Sequence, residues 1–531
     1  MKIFWKTGEP YVLATGSALA VILVMSLALI GTVMTNGLGY FWPDELVQFE
    51  LKDGSAALGQ ITQREKNPIT GEQRLQIKVA NRDLLGQDFR WIDEKEIKSR
   101  SLPSKAVLIE RREHGNFFGF LNGVTAEGVT LNTLPPEETL EQAMTIVSDK
   151  LSKTDQIRKE MSDLNNKAEH LRLKLLRLEY SGSTKSNIEI EESKESREKA
   201  LSDFTELNDV FSNKLAEIGE ITAQFTDVSG GTKDIALVDI VTVQYPNRMT
   251  FFEKCGAYIE RIRELLLDDP RESNTEGGLF PAIFGTVMMV MLMSVFSLPF
   301  GVIAAIYLRE YARDGVMTRM IRIAVNNLAG VPSIVYGVFG LGFFVYGIGG
   351  SIDNLFFPER LPTPTFGTGG ILWSSLTLAL LTVPVVIVAT EESLASIPKG
   401  IREGSLALGA TKFQTLTKNL LPMATPGIMT GLILSMARAA GEVAPLMIIG
   451  VVKLAPTLPF DANFPYFHMD RKFMHLGFHI YDVGFQSPNV EAAKPMVYVT
   501  TMLLLAIVII ASSSAIYFRN RMRGKYTTST F

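Results

Sequence analysis

Six long apolar stretches constrain the fold of this chain more than any other feature of its sequence. A helix that crosses the hydrocarbon core of a bilayer needs about 20 predominantly apolar residues. Five stretches of that length carry no charged side chain, and a sixth carries only Arg438 and Glu442. The stretches are residues 10–43, 277–308, 323–352, 361–390, 419–452 and 495–518. The sequence therefore predicts an α-helical membrane protein with six transmembrane helices.

Charge divides the chain into two parts of different character. Residues 44–276 hold 32 Lys/Arg and 43 Asp/Glu, whereas the rest of the chain holds 20 Lys/Arg and 13 Asp/Glu. The acidic block is thus a large soluble insertion between the first two apolar stretches. Nucleic-acid binding is disfavoured, because no basic surface dominates. The single cysteine, Cys255, excludes an intrachain disulfide framework and a cysteine-cluster metal site.

Basic residues in the short connecting segments set the expected orientation, because cytoplasmic loops are rich in Lys and Arg. Segments 1–9, 309–322, 391–418 and 519–531 hold 14 cations, whereas segments 353–360 and 453–494 hold five. Both termini are therefore predicted to be cytoplasmic, and residues 44–276 to lie outside. The first stretch is interpreted as an uncleaved anchor, because it is longer than the apolar region of a signal peptide. Four arginines are interpreted as positive-inside anchors: Arg309, Arg313, Arg319 and Arg322.

The acidic block contains two segments with different patterns of apolar residues. From Leu46 to about Thr133, short alternating runs separated by turn signals predict a small antiparallel β domain. From Pro136 the apolar residues recur every three or four positions, with a polar break at Ser181-Gly182-Ser183-Thr184. This pattern predicts an antiparallel coiled-coil hairpin, which serves either as a stalk or as a docking surface.

A β-like run at residues 235–243 and an amphipathic helix at 251–267 lead back to the membrane. Five apolar residues of that helix are predicted to lie at the membrane interface: Phe251, Phe252, Tyr258, Ile262 and Leu265. The predicted organisation is a tip and first span (1–43), a β-rich domain (44–135), a coiled-coil hairpin (136–225), a return segment (226–276) and a core (277–531). The core holds five spans and a cytoplasmic loop, 391–424.

The predicted cytoplasmic loop has glycine and proline at informative positions. Glu403 and Gly409 are six residues apart, and Pro422 follows thirteen residues later. A helix through Leu408 is therefore predicted to stop near Gly409, and a second helical piece to end before Pro422. Such a helix–turn–helix presents a rigid knob to another protein, although an ordinary amphipathic connector has the same spacing.

Arg438 and Glu442 are the two charges within an otherwise apolar stretch. A charge at the bilayer centre costs at least about 2.5–3.5 kcal/mol. Arg438 is predicted to lie about midway along residues 419–452, with Glu442 one turn further on the same helix face. The pair either braces helix packing or serves an anion, for which a guanidinium offers fork-shaped, charge-assisted hydrogen bonds. Ser or Thr joins helices at lower cost, which favours a place on a translocation path.

The loop resembles the EAA loop of ABC importer permeases, Glu-Ala-Ala-x3-Gly-x9-Ile-x-Leu-Pro. Four residues fall in register with that pattern: Glu403, Gly409, Leu421 and Pro422. Three depart from it: Gly404 and Ser405 replace the alanines, and Asn419 replaces the isoleucine. A second motif consists of Asn327, Gly330, Pro332, Ser333, Tyr336 and Gly337. With the Ala437–Glu442 segment, it resembles the phosphate-uptake permeases of the PstA type, over the first span and about residues 250–531.

This resemblance implies a permease subunit of a phosphate ABC importer in the bacterial inner membrane, with residues 44–276 in the periplasm. It implies three protein partners besides the lipid bilayer: a second phosphate permease subunit, a homodimeric cytoplasmic ABC ATPase and a periplasmic phosphate-binding protein. The loop would dock in a cleft of the ATPase, which binds ATP-Mg, so this chain would be no enzyme and hold no cofactor. Arg438 would receive phosphate transiently, while Glu442 orients it and keeps binding from becoming too tight.

Other interpretations stay open at this point. The chain is alternatively an importer of another oxyanion, such as sulfate or molybdate, or a non-transporting, membrane-anchored periplasmic regulator or scaffold. His475 and His479 have the i,i+4 spacing of a helical metal site, but no third ligand lies nearby in the sequence. They are interpreted as surface residues, and no metal site is expected.

Overall fold

A computed structural model describes residues 8–67, 71–126, 129–131, 135–181, 186–271, 274–461 and 466–527. The chain divides into two compact units. The β-rich unit comprises Phe41–Glu264 and Pro270–Gly277, and the membrane unit comprises Met1–Tyr40, Leu265–Asp269 and Gly278–Phe531. Parts of the sequence predictions lie outside the described residues, namely those at Lys2, Lys6, Thr133, Gly182, Ser183 and Thr184.

The β-rich unit contains two antiparallel sheets with the same strand order. The first consists of β1 (Val47–Leu51), β2 (Ala56–Lys66), β3 (Gln73–Lys78), β4 (Phe89–Asp93) and β5 (Ile97–Ser101), ordered β4-β3-β2-β1-β5. The second consists of β6 (Val107–Arg111), β7 (Phe117–Ala126), β8 (Val129–Leu131), β9 (Thr222–Thr226), β10 (Thr232–Ala236) and β11 (Ile240–Gln244). Its order is β10-β9-β7-β6-β11, with β8 paired to β7. A 3-10 turn precedes the last strand of each sheet.

The strand register shows that the two sheets are structural repeats. Val47 lies opposite Gly59 in the first sheet, and Val107 lies opposite Gly119 in the second, sixty residues further along the chain. Both glycines lie against a backbone carbonyl of the neighbouring strand. A Cβ would come within 2.3 Å of the Lys78 oxygen at Gly59 and 2.5 Å of the Thr226 oxygen at Gly119. The equivalent Val–Gly cross-strand pairs and the equivalent glycine–carbonyl contacts indicate an internal duplication of the β fold.

The second repeat corrects the predicted boundary of the β domain at residue 135. A short helix, α1 (Arg82–Leu85), belongs to the first repeat, and two long helices, α2 (Pro136–Ser181) and α3 (Ser186–Gly219), are inserted into the second. Strands β9, β10 and β11 follow the helices and complete the second sheet. Alternation of apolar and polar residues predicts that a strand exists, but it does not identify a partner strand about a hundred residues away. The predicted β domain therefore ended too early in the chain.

Helices α2 and α3 pack side by side and run antiparallel. Lys150 pairs with Glu217 at 3.1 Å near the base, and Glu179 pairs with Lys194 at 3.6 Å near the tip. At the base, Leu140 and Val147 join the apolar core of the second sheet. The two long helices were predicted at these positions, whereas the interlocking packing of a coiled coil stays a prediction.

Helix α4 (Phe251–Leu267) has the predicted bounds but a different outward face. Tyr258 packs edge-on against Phe41, with ring centroids 5.8 Å apart, and Leu265 is buried. The exposed apolar residues of this helix are Phe251, Phe252, Ile259, Leu266 and Leu267. The predicted interfacial set therefore mixed both faces of the helix. A short ribbon, β12 (Pro270–Arg271) and β13 (Glu276–Gly277), follows.

Among the described residues, six helices are long and apolar enough to cross a membrane. They are span one (Glu9–Gly39), span two (Phe280–Tyr311), span three (Ser333–Phe356), span four (Ile371–Ala395), span five (Lys412–Gly441) and span six (Val490–Met522). Span four is the most buried and packs against spans two and five, while span six packs against spans one and five. Four shorter helices accompany them: α5 (Val316–Leu328), α6 (Lys399–Ala407), α7 (Ala444–Ile449) and α8 (Leu476–Tyr481).

Prolines explain why spans three and five differ from their predicted bounds, and span four also starts later than predicted, at Ile371 instead of residue 361. The predicted third span began at residue 323, but α5 ends at Leu328 and span three starts only after Pro332. Proline disfavours helical conformation at the residue before it, which separates the two helices. The predicted fifth span ran from 419 to 452, but the helix ends at Gly441 and Glu442 is extended. Pro445 cannot donate the next hydrogen bond and begins the short helix α7 instead.

Candidate functional site

The charged pair of span five lies at a helix end rather than at mid-span. Arg438 is in the last turn of the helix, and Glu442 caps it in extended conformation, so the predicted continuous helix face is wrong. The Arg438 Nε lies 3.5 Å from a Glu442 carboxylate oxygen, and 39% of the Arg438 side chain is exposed. Among the described residues, the guanidinium makes no other ion pair or hydrogen bond. Its two terminal nitrogens are therefore available to an external acceptor.

The motif of span three packs against the break that follows Glu442. A Cβ at Gly337 would lie 2.8 Å from Cα of Pro445, so only glycine lets the two backbones approach this closely. The neighbouring Tyr336 is buried and lies within electrostatic range of Arg438. Two motifs that are about a hundred residues apart in the sequence therefore meet at one place in the membrane unit.

The remaining motif residues build the joint between α5 and span three. Tyr336 donates a hydrogen bond from its hydroxyl to the Leu328 carbonyl at 2.6 Å and so bridges the joint. The backbone N–H of Gly330 donates a hydrogen bond to the Asn327 carbonyl at 3.0 Å. Pro332 is the N-cap of span three. Asn327, Gly330 and Pro332 are exposed, and Ser333 is half-buried at the first helical position. These residues set the direction in which the chain enters span three.

The loop between spans four and five, residues 396–411, is a helix followed by a tight turn. Helix α6 ends at Ala407, and Gly409 adopts φ 86°, a left-handed conformation that favours glycine. Thr411 then starts span five with a capping box, in which its side chain and that of Gln414 each bond the other's backbone N–H. The predicted stop at Gly409 is present. The predicted end before Pro422 is wrong, because a π-helical turn at Leu416–Leu420 leads through Leu421 and Pro422 into the rest of span five.

Exposed apolar side chains form the tip of this loop. Leu408 is 91% exposed and Phe413 is 66% exposed, on either side of Gly409. Glu403 and Gly404 are exposed on α6, and a Cβ at Gly404 would meet no described atom within 4 Å. The sequence analysis missed Leu408 and Phe413, because an isolated apolar residue in a loop carries no periodic signal. Both apolar side chains are therefore exposed at the turn around Gly409.

The membrane unit is similar in sequence to known transport proteins. Residues 297–524 match the family model of the binding-protein-dependent transport system inner membrane component. The "probable ABC transporter permease protein YqgI" of Bacillus subtilis is 31% identical over 224 residues, which are 41% of this chain and 70% of that protein. The chain belongs to this transport family. The predicted six-span permease fold is thereby confirmed, and the acidic block 44–276 lies outside the matched range.

Two further relatives of the permease match it over shorter segments. The "phosphate transport system permease protein PstA 1" of Mycobacterium tuberculosis is 36% identical over 173 residues, which cover 33% of this chain and 50% of that protein. The "probable ABC transporter permease protein YqgH" of Bacillus subtilis is 35% identical over 195 residues, with coverages of 36% and 59%. The chain thus spans about half the length of these relatives.

Arg402 anchors the loop of the permease to two spans. Its guanidinium donates to Glu310 of span two at 2.9 Å and to the carbonyls of Leu394 and Ile397 at the end of span four. Both charged partners are mostly buried, with about a fifth of each side chain exposed. A second ion pair, Arg322 with Glu391 at 3.4 Å, joins α5 to span four. Arg402 therefore links α6 to spans two and four.

The two histidines of the last inter-span segment are buried, which corrects their interpretation as surface residues. Nδ1 of His475 accepts hydrogen bonds from the backbone N–H groups of Gly477 and Phe478 and caps α8. Burial lowers the pKa of His475 to about 4. His479 bonds Thr500 of span six at 3.2 Å. Among the described residues, no cluster of three metal-ligating side chains occurs. Both histidines thus serve packing between this segment and the spans.

Proposed function

We propose that the chain is a permease subunit of an ABC importer that moves inorganic phosphate across the bacterial inner membrane. The observation that carries the proposal is Arg438, a half-exposed guanidinium at the end of span five whose single described ion-pair partner is 3.5 Å away. A guanidinium forms paired, charge-assisted hydrogen bonds with a tetrahedral oxyanion. The identity to a phosphate transport permease, PstA 1, supports phosphate as the anion.

Arg438 and Glu442 have complementary roles in this proposal. The terminal nitrogens of Arg438 receive phosphate as it passes, while Glu442 holds the guanidinium from its Nε side and leaves those nitrogens free. The nearby carboxylate also weakens the attraction for an anion, because like charges repel at this range. A site of this kind binds phosphate strongly enough to admit it and weakly enough to release it.

Energy for transport comes from a separate homodimeric ATPase on the cytoplasmic side. The loop tip, with Leu408 and Phe413 exposed beside Glu403, docks in a cleft of that ATPase. Closure of the ATPase displaces α6, and Arg402 passes the displacement to spans two and four. This chain itself hydrolyses no nucleotide, and ATP-Mg is bound by the partner.

The remaining partners follow from the same role. In this proposal both termini and the loop lie in the cytoplasm and residues 44–276 lie in the periplasm, which the Lys/Arg-rich connecting segments support. A second phosphate permease subunit completes the translocation path beside the exposed face of Arg438. A periplasmic phosphate-binding protein delivers the anion.

The test is ATP-dependent uptake of radiolabelled phosphate into vesicles that hold the reconstituted complex. Arg438→Gln is expected to abolish uptake while the complex still assembles. Arg438→Lys is expected to retain a small fraction of wild-type uptake, because lysine keeps the positive charge but lacks the paired N–H donors of the guanidinium. Arg319→Gln is the matched control, since Arg319 is an exposed cation on a different helix, α5. It is expected to transport as wild type does.

Three outcomes would count against the proposal. Normal uptake by Arg438→Gln would remove the arginine from the path. Uptake that sulfate or molybdate suppresses more strongly than unlabelled phosphate does would assign another oxyanion. A wild-type complex that hydrolyses ATP but takes up no labelled anion would favour a scaffold over a transporter.

A further inference from the structure

Three polar side chains join the two limbs of the loop between spans four and five. Ser405 lies on α6, whereas Thr415 and Asn419 lie on the first turns of span five. The Ser405 and Thr415 hydroxyl oxygens are 2.9 Å apart, and the Asn419 side-chain amide donates to the Ser405 oxygen at 3.0 Å. Thr415 is buried, and the other two are half-buried. One serine hydroxyl therefore holds two residues of the opposite limb.

This cluster occupies the position where the limbs diverge from an apolar core. Leu394, Leu416 and Leu420 form that core below the loop, with Ile401 packed against it. Above it, the limbs are connected through the single left-handed residue Gly409. Arg402 and Ile401 hold the start of α6, and a contact between the limbs at this level limits rotation of the end of α6 about the glycine.

Ser405 and Asn419 are two of the positions at which the chain departs from the EAA pattern, which has alanine and isoleucine there. The structure brings these two departures into direct contact. Asparagine opposite alanine would leave a half-buried amide without this partner, and serine opposite isoleucine would keep only Thr415 as a partner. The two substitutions are therefore compatible with the fold as a pair, and each one alone is costly.

We propose that Ser405, Thr415 and Asn419 form a polar clasp that fixes the angle between α6 and span five. With the clasp closed, the tip at Leu408 and Phe413 moves as one rigid body with the start of span five. The three residues are positioning residues, since they lie behind the tip rather than on it. The proposal rests on the coupling role of the loop given under Proposed function.

A double-mutant cycle in the reconstituted complex tests the clasp. Ser405→Ala and Asn419→Ile are each expected to lower the phosphate moved per ATP hydrolysed at least threefold, and the double variant is expected to recover most of it. Recovery is expected because alanine and isoleucine restore an apolar contact in place of the hydrogen bond. Thr417→Ala is the control, because within the described part of the chain the Thr417 hydroxyl bonds only the Phe413 carbonyl of its own turn. It is expected to match the wild type.

A distance measurement in the same complex separates the clasp from the transport assay. Spin labels are placed at Gly400→Cys and Lys418→Cys, both exposed, in a Cys255→Ser background. The distance distribution is expected to be narrow in the wild type and the double variant and broad in both single variants. A wild-type complex that hydrolyses ATP without moving phosphate would refute the proposed function, and the distances would still test the clasp.

Several results would overturn the clasp. Equally narrow distributions in all variants would show that the apolar core alone holds the limbs. A double variant that loses as much as both single variants together would show that Ser405 and Asn419 act independently. Broadening in Thr417→Ala would show that any lost hydroxyl in this turn loosens the loop.

Discussion

His475 makes the stability of the membrane unit dependent on pH. Burial lowers the pKa of this imidazole from 6.5 to about 4, so the folded state holds it neutral. Nε2 has no hydrogen-bond partner among the described residues, and Nδ1 is occupied as an acceptor from Gly477 and Phe478. Protonation would therefore place an uncompensated charge in a buried site and remove the cap of α8.

The magnitude follows from the shift. A group whose folded-state pKa is depressed stabilises the fold fully above its unfolded pKa, and the stabilisation is lost as the pH falls. At about 1.4 kcal/mol per unit, a shift from 6.5 to about 4 is worth about 3.4 kcal/mol in total. Between pH 7.5 and pH 5.0, about 2 kcal/mol of this is lost.

The variant His475→Asn isolates this effect. Asparagine is a favourable N-cap residue, so it keeps the acceptor for α8 but does not titrate. The assay is unfolding of the purified chain in mixed micelles at pH 7.5 and 5.0, followed in a background that retains only Trp373, which is buried in span four. The wild type is expected to lose about 2 kcal/mol more than His475→Asn between these two pH values. His114→Asn, at an exposed position of the β-rich unit, is the control and should retain the wild-type dependence.

The comparison is made between pH dependences, so a constant cost of the smaller side chain cancels. Other histidines are present in both proteins and cancel as well. Equal losses in the wild type and His475→Asn would show that His475 is protonated in the folded state without penalty, and the reasoning from burial would then be wrong.

Two further predictions concern packing and charge. Gly337→Ala is expected to destabilise the membrane unit by about 1–3 kcal/mol, because the new methyl group would lie 2.8 Å from Pro445. Gly342→Ala, whose Cβ would meet no described atom within 4 Å, should cost much less in the same unfolding assay. Burial by itself raises the pKa of Asp83, but hydrogen bonds and charge from Arg111 outweigh it and hold the pKa below 3.8. The pair therefore stabilises the β-rich unit above about pH 4 and fails as the pH falls further, so Asp83→Asn should flatten the acid unfolding profile below that pH. An unchanged profile would show that the pair contributes nothing to acid stability.

Local patterns in the sequence predicted much of this molecule. The length of the apolar stretches predicted six spans. Apolar residues recurring every three or four positions predicted the two long helices at the observed positions. Gly409 gave the end of the loop helix. These signals are reliable because a span, a helical stripe or a left-handed turn depends on residues within about one element of each other.

Where the predictions failed, residues distant in the sequence were responsible. The second β repeat closes across two inserted helices, His475 is fully buried, and Gly337 meets Pro445. The break at Glu442 and the start of span three were readable from Pro445 and Pro332, but apolar length outweighed them in the prediction.

The sequence by itself determined the number of spans, the acidic insertion and the residue types available for anion binding and coupling. Only the tertiary structure decided that the terminal nitrogens of Arg438 have no partner among the described residues, and that Ser405 and Asn419 meet. Secondary structure is set by periodicity along one element. Contacts between elements depend on crossing angles and helix ends, which no single segment encodes.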